Sequence, residues 1–186
     1  QDDEGNFFLT GGHHHRLYTH AQATIALCEL YGMTDDKTLK DRAQRALDYC
    51  YKSQSPQGGW RYAPGGASDT SVTGWFVMAL QSGRMSGLNV PAGNLDKISA
   101  FLDTATTDGG SKYAYIPGQS DSLSMTAEGL LCRQYLGWMH DDPRLDRGIQ
   151  YIGGHPLNFA EMDVYYWYYA TQAMHHMGGK PWNQWN

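Results

Sequence analysis

No apolar run approaches the roughly 18 residues needed to cross a bilayer, so no stretch of this chain reads as a membrane span. Basic residues are also sparse, with 14 Lys and Arg scattered against 19 Asp and Glu for a net charge of −5. Phosphate recognition needs a basic stripe, which argues against nucleic acid as a partner. Cysteine is limited to Cys28, Cys50 and Cys132, without CxxC or CxxxC spacing. Each sits in a helical pattern and reads as a buried thiol in preference to a disulfide framework or a zinc site. The first residues, QDDEGNFF, have neither the basic start nor the apolar centre of a signal peptide, and the compartment stays open. GxSxG, P-loop and HExxH motifs are missing, no cofactor is called for, and no strand alternation of useful length occurs.

Aromatic residues are plentiful, at 13% of the chain, and with 41% hydrophobic residues they can supply the core of a globular fold. Their arrangement is repetitive. Four stretches, YTHAQATIALCELYG, DTSVTGWFVMALQSG, SMTAEGLLCRQYLG and VYYWYYATQAMHHMG, open with small or capping residues and become apolar on nearly every face. Each ends in a glycine, Gly32, Gly83, Gly137 or Gly178, which reads as a helix C-cap. A helix apolar all round is a buried helix. Between them lie helices with one wet side: Leu39, Ala43, Ala46, Leu47 and Cys50 share a face opposite Lys37, Lys40, Asp41, Arg45 and Asp48. NLDKISAFLDTA and DPRLDRGIQYI follow the same rule.

Buried helices alternating with amphipathic ones predict two layers of stacked helical hairpins. The expectation is an all-α solenoid or toroid of about seven helices in a single domain over 1–186, with repeat units near 13–55, 56–107, 108–154 and 155–186. The connecting loop recurs as well. Gly58-Gly59 answers Gly109-Gly110, Tyr62 answers Tyr113, and Pro64-Gly65 answers Pro117-Gly118. Recurrence at equivalent places points to architecture before chemistry.

The run ALDYCYKSQSPQGGW resembles the QW repeat of squalene–hopene cyclases and other terpenoid cyclases, also known as the prenyltransferase and squalene oxidase repeat. Tyr49, Gln54, Gly58 and Trp60 occupy the matching positions. The resemblance implies the two-layer α/α toroid that terpenoid cyclases share with protein prenyltransferase β subunits and complement-type thioester domains. It makes Gln54, Gly58, Gly59 and Trp60 a structural corner. Gln54 is expected to bond open backbone and the face of Trp60, glycine allows the sharp turn, and Trp60 covers the helix junction.

The chemistry of those families is mostly missing. Hopene-type cyclases resemble one another in an Asp-x-Asp-Asp-Thr acid, whereas SDTSVTG keeps only Asp69. Asp69 reads first as an N-cap and second as the one plausible acid. Asp121 and Asp163 also lie near starts of buried helices, where carboxylates favour the helix dipole. The zinc ligands of prenyltransferases would fall at Asp69-Thr70-Ser71 and Asp163-Val164-Tyr165-Tyr166, where Ser71 and Tyr166 replace thiolate and imidazole. The Gly-Cys-Gly-Glu-Gln segment of thioester domains is absent. His13-His14-His15 cannot all face one ion and reads as structural or surface, so no metal site is expected.

The function expected on this basis is a binding or scaffold module, its cavity lined by Tyr18, Trp75, Tyr165, Tyr166 and Trp167, since aromatic faces suit apolar or cationic ligands. The ligand would be apolar or isoprenoid, or a protein partner would complete the ring. About seven helices is short of a closed toroid, so a fragment or open arc is expected, with self-association through exposed helix edges. The alternative is an acid-initiated isoprenoid cyclase with Asp69 as its acid.

Overall fold

The computed structural model describes residues 1–186 and is predominantly helical. Its helices are α1 (Arg16–Thr34), α2 (Lys37–Ser53), α3 (Thr70–Met85), α4 (Ala92–Thr104), α5 (Leu123–Tyr135), α6 (Pro143–Gly153), α7 (Val164–Met177) and α8 (Gly179–Trp185). The only sheet is the two-residue antiparallel pair β1 (Thr106–Thr107) and β2 (Lys112–Tyr113). That pair was not expected from the sequence, because two residues per strand leave no alternation to read. KPWNQWN extends the expected count to eight helices by forming most of α8.

Side-chain caps explain where the helices begin. Asp36, Asp69, Ser122, Asp142 and Asp163 each accept a backbone N–H two or three residues on, at the starts of α2, α3, α5, α6 and α7. Pro143 at the first position of α6 reinforces one of them.

Two helix ends differ from the glycine rule. α1 runs past Gly32 to a left-handed Asp35, and α3 runs past Gly83, with Gly87 taking positive φ beyond its end. Gly32 and Gly83 are glycine for close packing. A Cβ on Gly32 would lie 2.5 Å from Ser86 Oγ, and one on Gly83 would lie 2.6 Å from Leu47. Gly137 and Gly178 do follow their helices with positive φ.

The chain forms two compact units, Gln1–Phe101 and Leu102–Asn186, whose boundary falls inside α4. In the first, α1 lies against α3 and α2 packs on both. In the second, α5 lies against α7 and α6 packs on both, with α8 against α6 and α7. The amphipathic faces bury as their spacing demands: Ala43, Ala46, Leu47 and Cys50 on α2, and Leu145, Ile149 and Ile152 on α6. All three cysteines are buried and unpaired. Burial pushes the Cys28 thiol up to about 12 and raises Cys50 and Cys132 too.

The corner at Trp60 is fully buried. Gly58 has φ +100°, and a Cβ there would lie 2.1 Å from the Lys97 carbonyl, so only glycine fits. Gln54 donates to the Gly58 carbonyl (2.7 Å) and the Asn94 carbonyl (3.1 Å). It therefore ties the turn to the start of α4. Trp60 stacks on Phe76 at 4.5 Å, and its indole N–H donates to the Cys50 carbonyl at 3.0 Å. Gly59 is confined by Thr73, Phe101 and Ser68.

The second unit repeats this corner in a different register from the one expected. Trp60 N–H donates to Thr73 Oγ1 (3.0 Å) and Tyr113 N–H to Thr126 Oγ1 (3.1 Å), so Trp60 corresponds to Tyr113 and Tyr62 to Tyr115. Tyr113 lies over Gly129, where a Cβ would come within 2.4 Å of its ring. Its hydroxyl accepts from Arg133 Nε at 2.9 Å, and Arg133 also pairs with Asp103.

A further copy sits ahead of residue 13. Gln1 donates to the Gly5 carbonyl (3.2 Å), Gly5 faces the Arg45 carbonyl as Gly58 faces Lys97, and Phe7 N–H donates to His20 Nδ1 (3.3 Å). Phe7 and His20 thus hold the places of Trp60 and Thr73. The sequence hides this copy because Phe7 replaces tryptophan and an imidazole replaces the hydroxyl.

Candidate functional site

In the first unit, the expected acid lies where the corner meets α3. Asp69 is fully buried and its N–H donates to the Trp60 carbonyl (2.9 Å). One carboxylate oxygen accepts from Val72 N–H at 2.7 Å, and the other lies 3.3 Å from Arg61 Nε. Arg61 in turn lies 5.2 Å from the Tyr62 ring, which meets His14 edge-on at 5.2 Å. Tyr18 shares a hydrogen bond with Ser71 (2.8 Å), and Trp75 on α3 is half-buried. The carboxylate is thus engaged by its own helix amide and faces a guanidinium.

The zinc set implied by the prenyltransferase resemblance does not fit these residues. Asp69 is engaged as above, Ser71 bonds Tyr18, and Asp163 caps Tyr166 N–H at 2.9 Å. No group of three His, Cys, Asp or Glu side chains converges as a metal site. His13–His15 form a single exposed 3₁₀ turn.

In the second unit, the run 165–169 at the start of α7 divides among different neighbours, as consecutive helical positions must. Tyr165 donates to Glu128 Oε2 on α5 (2.8 Å) and meets Tyr169 at 4.9 Å. Tyr166 turns toward α6, donating to the His155 carbonyl at 2.7 Å. Trp167 meets Phe159 edge-on at 5.1 Å. Tyr165 and Tyr166 therefore do not line one wall. Burial raises the Tyr166 phenol, and burial followed by the Glu128 charge raises Tyr169 and the Cys132 thiol.

Glu128 is the residue that the sequence reading missed. It is fully buried, and the available signal was a carboxylate in the middle of a helix apolar on every face. In the register of the two corners it occupies the place of Trp75.

A cleft of about 670 Å³ opens beside these residues, lined by Leu123, His155, Pro156, Leu157, Asn158, Glu161, Asp163, Tyr166 and Trp167. Asp163 accepts from Ser124 Oγ at 2.9 Å in addition to capping α7. Trp167 is half-buried and Phe159 is exposed. Of the expected ligand-facing aromatics, Tyr166 and Trp167 reach this cleft.

Fold and sites together define an all-α protein of packed helical hairpins, with a recurrent buried corner and a cleft at the start of α7. Comparison with protein-family models, characterised proteins and solved structures gives no match.

Proposed function

We propose that the chain is a repeat module of the α/α-toroid type, related to terpenoid cyclases and protein prenyltransferases, that binds a ligand or partner in preference to carrying out cyclisation. The observation behind this reading is the state of Asp69. Its two carboxylate oxygens face the Val72 amide and Arg61, whereas an initiating acid needs its proton retained and strengthened. The recurrent corner supports the toroid relationship. The cleft lined by Leu123, Leu157 and Trp167 supplies an apolar or isoprenoid ligand with a site. Exposed Leu30 and Met33 on α1, and Val164 and Tyr168 on α7, favour a protein partner or a second copy as a further occupant.

Incubation with squalene, followed by mass-spectrometric analysis of the lipid extract, tests the reading. The expected outcome is unchanged squalene with wild type and with Asp69→Asn, which keeps a capping oxygen. A cyclic product that disappears in Asp69→Asn overturns it in favour of the cyclase.

A further inference from the structure

The charge of the cleft in the second unit carries the binding reading one step further, to the class of ligand. Two carboxylates, Glu161 and Asp163, stand among its lining residues. Asp163 is committed to Ser124 and to the α7 amide, but the exposed Glu161 carboxylate accepts no hydrogen bond and joins no ion pair. The one basic side chain in the lining is His155, whose Nδ1 donates to the Tyr151 carbonyl at 2.8 Å. α5 and α7 both begin here, and each helix N-terminus contributes about half a positive charge. Together they offset about one of the two carboxylate charges, so the cleft keeps a net negative field. Apart from Asn158, the rest of its lining is apolar or aromatic, with Leu123, Leu157, Tyr166 and Trp167 on it.

A neutral hydrocarbon leaves that charge unused, and an anion is repelled by it. We propose that the cleft takes an organic cation, a protonated or quaternary amine with a hydrocarbon arm. The ammonium faces Glu161 and the π-face of Trp167, and the arm lies along Leu123 and Leu157. This rests on the reading of the chain as a binding module. The volume suits a ligand of that kind, since small-molecule sites run from about 300 to 1,000 Å³.

Isothermal titration with hexyltrimethylammonium, 1-hexanol and hexyl sulfate, three probes sharing one arm, separates charge from apolarity. The expected result is at least tenfold tighter binding of the ammonium than of hexanol, with hexyl sulfate weakest. Glu161→Gln with Asp163→Asn, which preserves the cap, should bring ammonium and hexanol within twofold of each other. Trp167→Leu should weaken the ammonium more than hexanol. Circular dichroism checks that each variant is folded. Equal binding of hexanol and ammonium overturns the cation while leaving an apolar site, and so leaves the binding reading standing. An ammonium preference that survives the double variant places the charge recognition elsewhere and also overturns the proposal. Silence from all three probes overturns it too, and leaves the module reading to the squalene experiment.

Discussion

At the scale of single residues, the corners show how much structure rests on one side chain. Trp60 is fully buried, stacked on Phe76 and hydrogen-bonded through its indole to the Cys50 carbonyl. Trp60→Ala removes that packing and the indole hydrogen bond, so it should cost about 3–5 kcal/mol, read from denaturant unfolding. A loss under about 1 kcal/mol would remove its corner role. Trp60 and Gly58 were legible in the sequence because Gly-Gly-Trp after a helical pattern has few other uses. Glu128 was not. Its meaning comes from Tyr165, 37 residues away, and no local spacing records that contact.

At the scale of helices, composition located the segments and packing decided their limits. Apolar residues on every face marked α1, α3, α5 and α7, but Gly32 and Gly83 looked like terminators. A glycine that lets a neighbouring helix approach is spelled like a glycine that ends one, and only the neighbour, Ser86 or Leu47, tells them apart. The caps make a graded series. Ser122 is exposed and accepts only from its own helix start, so Ser122→Ala should cost about 0.5–1 kcal/mol. Asp69 is buried and also faces Arg61, so Asp69→Ala should cost about 2–3 kcal/mol by removing a charged hydrogen-bond acceptor. Chemical denaturation of both variants checks the order, and equal costs would show that the Arg61 contact adds nothing.

At the scale of the whole molecule, stability should depend on pH through one buried imidazole. His20 is fully buried between Phe7, Tyr49 and Phe76; its Nε2 donates to the Ala46 carbonyl at 3.0 Å, which leaves Nδ1 to accept from Phe7. Burial lowers its pKa from 6.5 to about 4. The unfolded chain therefore binds a proton between those values before the folded chain does. The resulting stability is complete above about 6.5 and is lost as pH falls toward 4, by about 3 kcal/mol. A second window lies lower, because Arg144 holds Asp142 at about 2 against an ordinary 3.8. Thermal unfolding from pH 7 to 4 should show the first window, and His20→Thr, the residue type used at the other two corners, should flatten it. A slope unchanged in that variant would assign the dependence to other groups. The first corner escaped the sequence reading for the same reason that it responds to acid: an imidazole there does the work of a hydroxyl.

The three corners also explain why the repeats have drifted so far apart in sequence. Phe7 is matched to His20, Trp60 to Thr73 and Phe76, and Tyr113 to Thr126, Gly129 and Arg133. Each set fits only itself. Grafted alone, a tyrosine at 60 would lose the indole bond to the Cys50 carbonyl, and a tryptophan at 113 would lose the Arg133 bond. The repeating element is a relation between residues and not a residue. Two changes made together can preserve it where either alone would break it, and the letters diverge while the joint stays the same.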